Sequence, residues 1–289
     1  MSSSTTEARS APARTSGRLQ VAFASDPGGK SYLARQYASY PFHLCRAQYL
    51  DPELPDMASL YVQTSAGGIY AGDRLNVEIR TGAGARAHVT TQASSIAYRM
   101  PEDEARQQIL LSGGRGSLLE YLPDPTILFP EARLRTNLTL EPGPGALIVT
   151  GDSFLPHDPD GAGRSFGFYV GATRIVDPGG RLLSLDRFRF DGADWSAGRA
   201  GVSGSRRMQG TLVAAGDAAA PETLLEALRE GLAKAPPAVY GAASVLPNRG
   251  GAWARLLAAD GAELTETMTR LWAALRESVT GHLPARRRK

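Results

Sequence analysis

The 289-residue sequence has one cysteine, four histidines and no apolar run near the roughly 20 residues a membrane span requires. A lone Cys45 excludes an intrachain disulfide and points to a reducing cytoplasm, where such a thiol serves as a small buried hydrophobe. His43, His88, His157 and His282 are scattered, so no His/Cys pair has ligand spacing and no stable metal site is expected. Also missing are a G-x-S-x-G elbow and any Ser, His and Asp whose neighbourhoods suggest a triad. With no catalytic residue to name, a non-enzyme is expected. Net charge is only +3, and no basic stretch is interleaved with aromatics, so neither nucleic acid nor membrane is an expected partner.

What is present suits a soluble protein with a real core: 42% of residues are hydrophobic. The opening "MSSSTTEARSAPARTSGR" lacks an apolar h-region, so it predicts a disordered tail over 1–17 rather than a secretory signal. The closing "RRRK" makes 285–289 a basic, solvated tail.

From 18 to 215 the signal is β. "DRLNVEIRTG" puts Leu75, Val77 and Ile79 on one face and Arg74, Asn76, Glu78 and Arg80 on the other. "ARLRTNLTLE" repeats the alternation with Leu134, Leu138 and Leu140. A period of two with one wet face predicts an antiparallel-rich body. Four stretches share a strand, a Gly-rich reversal and a second strand, about 30 residues apart: "VEIRTGAGARAHVTT", "QILLSGGRGSLLEYL", "LTLEPGPGALIVTGD" and "TRIVDPGGRLLSLD". Each reversal reads as a hairpin or a layer-to-layer corner, which implies a layered or solenoid-like β body.

Residues 216–284 change character. "PETLLEALREGLAK" carries Leu224, Leu225, Leu228 and Leu232 on one helical face, with Pro221 suited to the first turn. "ELTETMTRLWAALRESVTG" does the same with Leu264, Met268, Leu271, Trp272, Leu275 and Val279, and Gly281 ends it. A strand pair between them completes a small α+β part carrying two helices, packed on the β scaffold.

Two glycine-rich segments invite a ligand. "ASDPGGKS", Ala24 to Ser31, has the outline of a phosphate loop, which keeps a nucleotide-binding protein as one alternative. Its mechanism needs a helix next and free backbone donors; Pro27 removes one donor, and "YLARQYASYPF" has no helical stripe. A turn between strands serves equally well. "SAGGIYAGD", Ser65 to Asp73, surrounds one carboxylate with Gly67, Gly68 and Gly72, and a phosphate loop, a metal site or a tight structural turn would each use it. Further carboxylates, Glu120, Asp152 and Asp186, follow or interrupt glycine-rich or apolar stretches. Each is either paired, Arg99 and Arg187 being candidate partners, or faces an internal polar passage.

"GGIYAGDRLNVEIRTGAGARAHVTTQASSIAYR" and "LLEYLPDPTILFPEARLR" resemble segments of the urease accessory protein D family, called UreH in some organisms. The likeness runs from about Lys30 through "DRFRF", then thinly through "GTLVA" to the terminal helix. It implies a mostly β, non-catalytic scaffold that binds urease apoprotein subunits and recruits an all-helical accessory protein F. Through that complex it would recruit a nickel-carrying GTPase, accessory protein G. It also implies that nickel(II), in transit and not stably bound, crosses a water-filled channel. Carried over by position, the channel residues would be Asp73, Ser95, Glu120, Asp152 and Asp186. Isolated carboxylates and hydroxyls attract a divalent cation without trapping it, whereas clustered imidazoles or thiolates would hold nickel. Thr64, Ser65 and Ala66 replace the family's Pro-Pro, Tyr121 its usual Trp, and Pro125 enters the next loop. A free-standing β recognition module is the other alternative, and would ignore nickel.

Overall fold

The computed structural model describes residues 16–285. The tails expected over 1–17 and 285–289 lie outside the described residues apart from Ser16 and Gly17, which already belong to the first strand, and Ala285. In chain order the elements begin with β1 (Ser16–Ser25), β2 (Ser31–Ala38), β3 (Phe42–Leu44), β4 (Ala58–Thr64), β5 (Arg74–Thr81) and β6 (Arg86–Thr91). Then come β7 (Ser95–Ala97), β8 (Ala105–Gly113), β9 (Leu118–Tyr121), β10 (Thr126–Leu128), β11 (Arg133–Pro142) and β12 (Leu147–Pro156). The chain continues through β13 (Phe168–Val176), β14 (Leu182–Asp191), α1 (Gly192–Ser196) and β15 (Met208–Gly216). It closes with α2 (Pro221–Ala233), β16 (Tyr240–Val245), β17 (Gly251–Ala258) and α3 (Gly261–Thr280).

The strands form two stacked sheets, and the protein is mainly β with a solenoid-like body. The first sheet runs β14-β13-β11-β8-β5-β1-β2. The second runs β16-β17-β15-β12-β9-β6-β4-β3, with β10 joined to β12 and β7 to β10. Between β4 and β13 the chain alternates between the sheets, so same-sheet neighbours point the same way. Thus β5, β8, β11 and β13 pair in parallel, as do β4, β6, β9 and β12. Among the named strands of the described residues, antiparallel pairing is confined to β1–β2, β3–β4, β13–β14 and the β12-β15-β17-β16 run. The body is therefore parallel at its centre, not antiparallel-rich. Alternation alone does not distinguish the two, because the outer face of this parallel sheet is wet: Leu75, Val77 and Ile79 point inward, Asn76 and Arg80 outward.

Three of the four glycine-rich reversals are corners between the sheets, and the fourth, between β13 and β14, is a hairpin. The corners stack. Gly84 N–H donates to Arg115 O at 2.8 Å, and Gly116 N–H donates to Pro144 O at 3.0 Å. A Cβ on Gly114 would stand 2.6 Å from the Gly82 carbonyl carbon, so glycine is required for one corner to rest on the next.

The second sheet is covered on both faces, by the first sheet and by α2 and α3. This explains the almost wholly buried β15. Pro221 opens α2, Asp260 caps α3 by accepting from Ala262 N–H at 2.7 Å, and Gly281 ends α3 at φ 76°. The strands of 216–284 extend the second sheet through β15, so this part continues the scaffold's own sheet. No helix among the described residues is long and apolar enough to cross a membrane.

Candidate functional site

The segment from Ser65 to Asp73 is a closed turn. Tyr70 N–H donates to Asp73 Oδ2 at 2.9 Å, and Asp73 N–H donates to Tyr70 O at 3.1 Å. Gly67 and Gly72 take φ of 72° and 84°, the left-handed region. Gly68 needs glycine for another reason: a Cβ would stand 2.5 Å from both Ile96 O and the Tyr98 ring. Ile69 N–H donates to Ile96 O at 2.7 Å, and Tyr70 stacks on Tyr98 at 4.9 Å. Asp73 is buried and holds this turn together. Its carboxylate is not on the cavity described next; Gly68 and Ile69 are.

Between the sheets, the dry core of β1, β4, β5 and β6 gives way to a polar belt before an aromatic cluster around Phe154, Tyr169 and Trp195. The belt encloses a cavity of about 90 Å³, room for a few waters. Its polar lining includes Thr91, Ser95, Thr136, Thr150, Asp152 and Tyr169. The Thr150 hydroxyl is buried with no hydrogen-bond partner among the described residues, as befits a group that faces water. Tyr169 Oη donates to the Asp152 carboxylate, 2.9 Å from each oxygen. Burial pushes Asp152 up to about 6, against the Tyr169 hydrogen bond and the positive charge of Arg255. Burial and the charge of Asp152 in turn hold the Tyr169 phenol well above its ordinary range. Asp152 is thus an under-neutralised carboxylate at a water-sized space, able to accept a cation or a proton.

Glu120 is on the other face of the second sheet. It is fully buried under α3, where Arg276 Nε donates to its Oε1 at 2.8 Å and Arg276 Nη2 reaches Oε2. His88 Nδ1 lies 2.8 Å from Oε2, and Arg276 also pairs with buried Asp51. Burial alone would raise Glu120, but the hydrogen bonds from His88 and Arg276 and the guanidinium charge hold it at about 2. Asp186 is half-buried at the open edge of the sandwich, ion-paired with Arg255. Arg255 Nε donates to Thr211 Oγ1 at 3.4 Å, and Gln209 Nε2 donates to the same oxygen at 2.6 Å.

Of the five residues expected on a passage, the cavity thus brings together Ser95 and Asp152. Asp73 and Glu120 are engaged elsewhere, and Asp186 lines a separate pocket, paired with Arg255. The partners anticipated for the acidic residues were also different: Arg99 pairs with Glu131, while Arg276 and Arg255 take the roles considered for Arg99 and Arg187. Arg276 had a signal, since it follows Trp272 by one helical turn on the apolar stripe of α3. Tyr169 and Thr150, each within an apolar strand, had none.

"ASDPGGKS" is the turn of the β1–β2 hairpin: Gly29 N–H donates to Asp26 O at 3.0 Å, and a strand follows where a phosphate loop requires a helix. The Lys30 ammonium rests 4.1 Å from the Tyr49 ring centre. Among the described residues, no three His, Cys, Asp or Glu side chains are grouped to hold a metal ion.

Residues 15–289 match the family model described as UreD urease accessory protein. The chain is similar to urease accessory protein UreD 1 of Pseudomonas syringae pv. syringae (strain B728a), at 38% identity over 97% of this chain and 98% of that protein. It is likewise similar to UreD 1 of Methylorubrum extorquens (strain PA1), at 38% identity over 94% of this chain and 92% of that protein. UreD 2 of Streptomyces griseus subsp. griseus is 32% identical over 96% of this chain and 94% of its own length. The chain belongs to the UreD urease accessory protein family, whose part is in the maturation of urease, a nickel enzyme.

Proposed function

We propose that this protein is a non-catalytic maturation scaffold whose inter-sheet cavity is a stretch of a hydrated passage for nickel(II). The reading is carried by one observation: Asp152, short of positive partners, faces a polar cavity lined by hydroxyls between the two sheets. A divalent cargo must shed part of its hydration against something, and scattered oxygen donors exchange with water quickly. Hydroxyls from Ser95, Thr136 and Thr150 and the acidic residues Asp124 and Asp152 make such a lining, and Asp186, in a pocket that adjoins it at Thr173, adds an acidic approach. Asp73 contributes indirectly, by closing the turn that supplies Gly68 and Ile69 to the wall. Glu120 contributes by anchoring α3.

In this reading the scaffold works in the cytoplasm. It binds apo-urease and recruits accessory protein F and, through that complex, the GTPase accessory protein G, which supplies the nickel. The test is Asp152→Ala in a host expressing the complete set of urease genes. Urease purified from it should carry markedly less nickel by mass spectrometry, while accessory protein F still co-purifies with the scaffold. Unchanged nickel content would refute the passage.

A further inference from the structure

The second sheet has a hole in it. β12 pairs with β9 as far as Thr150↔Tyr121 and resumes with β10 at Phe154↔Thr126. Gly151, Asp152 and Ser153 have no ladder partner on that side, and Leu122 to Pro125 bow away opposite them. Pro123 and Pro125 bring no N–H to bridge the gap, and Asp124 N–H turns instead to Thr91 Oγ1 at 2.9 Å. Pro123, Asp124, Gly151 and Ser153 line the inter-sheet cavity and also a smaller cavity, about 40 Å³, on the opposite side of the sheet. The far wall of the smaller cavity is α3, through Thr265, Met268 and Thr269, and both threonines are exposed to solvent. Two glycines leave room beneath Met268. A Cβ on Gly151 would lie 3.2 Å from Met268 Cε, and one on Gly210 would lie 3.0 Å from its Sδ.

We propose that this gap is a mouth of the passage, through which a small hydrated cation crosses the second sheet beneath α3, with Met268 as its movable stopper. The proposal rests on the nickel passage above and adds to it a route and a gate. The occupant suits the lining: Asp124 and Ser153 edge the gap and bring oxygen donors of the kind a divalent cation takes. An unbranched thioether with three rotatable bonds can swing aside without moving the helix.

The test uses the full chain with Cys45→Ser, so that an introduced thiol is the only one. The probe is a trimethylammonium methanethiosulfonate, a small fixed cation. With Ser153→Cys, adding Met268→Ala should speed modification severalfold, and adding Thr269→Trp, an exposed change that overhangs the mouth, should slow it. The thiol introduced by Ser95→Cys, which lies beyond the gap on the inter-sheet cavity, should change in the same direction in each background. Equal rates at position 153 in all backgrounds, or changes at 153 that leave position 95 untouched, would overturn the mouth. In cells carrying the urease genes, Thr269→Trp should lower urease nickel content, as is expected of Asp152→Ala. Loss with Asp152→Ala but not with Thr269→Trp would leave the passage standing and overturn this exit. No loss with either would remove the passage, and the mouth with it.

Discussion

Glu120 and Asp152 belong to neighbouring strands and live in opposite chemistry. Glu120 is in register with Val149, and Asp152 lies three positions further along β12, so the two carboxylates leave the sheet on opposite faces. On the helix face, Glu120 is saturated by Arg276 and His88 and held near 2. On the inter-sheet face, Asp152 has one phenol and open space, and it rises to about 6. A carboxylate already saturated by fixed cations has no coordination left to offer a passing ion. Function in this sheet is therefore divided by face: the helix side is locked, the inter-sheet side exchangeable.

Breaking the lock should produce the largest effect. Arg276→Ala leaves Glu120 and Asp51 buried without their cation, and removal of one member of such a cluster costs about 3–5 kcal/mol. Urea unfolding at neutral pH should register that loss, together with release of the α3 end from the sheet. Replacing the whole cluster by apolar residues of similar volume should cost far less, because no orphaned charge remains. A loss under 1 kcal/mol for Arg276→Ala would mean the cluster is wet, and would erase the contrast between the faces.

The next effect is smaller and opposite in sign. Asp152 is raised in the fold, so its burden is absent below the unfolded value of about 3.9 and grows as pH climbs to about 6. Asp152→Asn should therefore stabilise the protein at pH 7.5, on the order of 2 kcal/mol once water access is discounted, and change little at pH 3.5. Glu120 follows the reverse rule. Its depressed value gives stability that is complete above about 4.3 and is lost as pH falls toward about 2. Denaturant midpoints for Asp152→Asn and Glu120→Gln, measured across pH 3.5–7.5, should thus diverge as pH rises. Parallel curves would make the two carboxylates equivalent.

Most of the scaffold was legible, and the division by face was not. Leu75, Val77 and Ile79 are buried as the alternation of "DRLNVEIRTG" requires, and the glycine reversals fall at the ends of strands. The first turn of α2 holds Pro221 and α3 stops at Gly281, as those residues indicate. Parallel pairing was hidden because a corner between sheets and a hairpin within one use the same residues. The side taken by Glu120 was hidden because "SLLEYL" is apolar on both faces, the second sheet being covered above and below. Its cation is 156 residues away on α3, and Arg255 is 69 residues from Asp186. Spacing does not reach so far. Glycine pattern and resemblance marked Asp152 as a candidate, but only the break between β9 and β10 reveals the space beside it.

The smallest effect separates a wet cavity from a dry one of the same shape. Thr150 presents a buried hydroxyl that nothing among the described residues satisfies. In a dry cavity that hydroxyl is a pure penalty, and Thr150→Val, nearly isosteric, would stabilise the fold by about 1 kcal/mol. In a hydrated one the hydroxyl bonds to water, and the same change removes a satisfied hydrogen bond while exposing a methyl to that water. We expect the second outcome, a loss of about 0.5–1 kcal/mol, because the Asp152 carboxylate and the neighbouring hydroxyls give a bridging water several partners. Ile148→Val, in the dry part of the same strand, supplies the reference: it loses about 0.5–1.5 kcal/mol through packing alone. Hydration shows in the variation with pH. The cost of Thr150→Val should grow as Asp152 ionises between pH 4 and 7, since water is what carries the interaction between them, while the Ile148→Val cost stays flat.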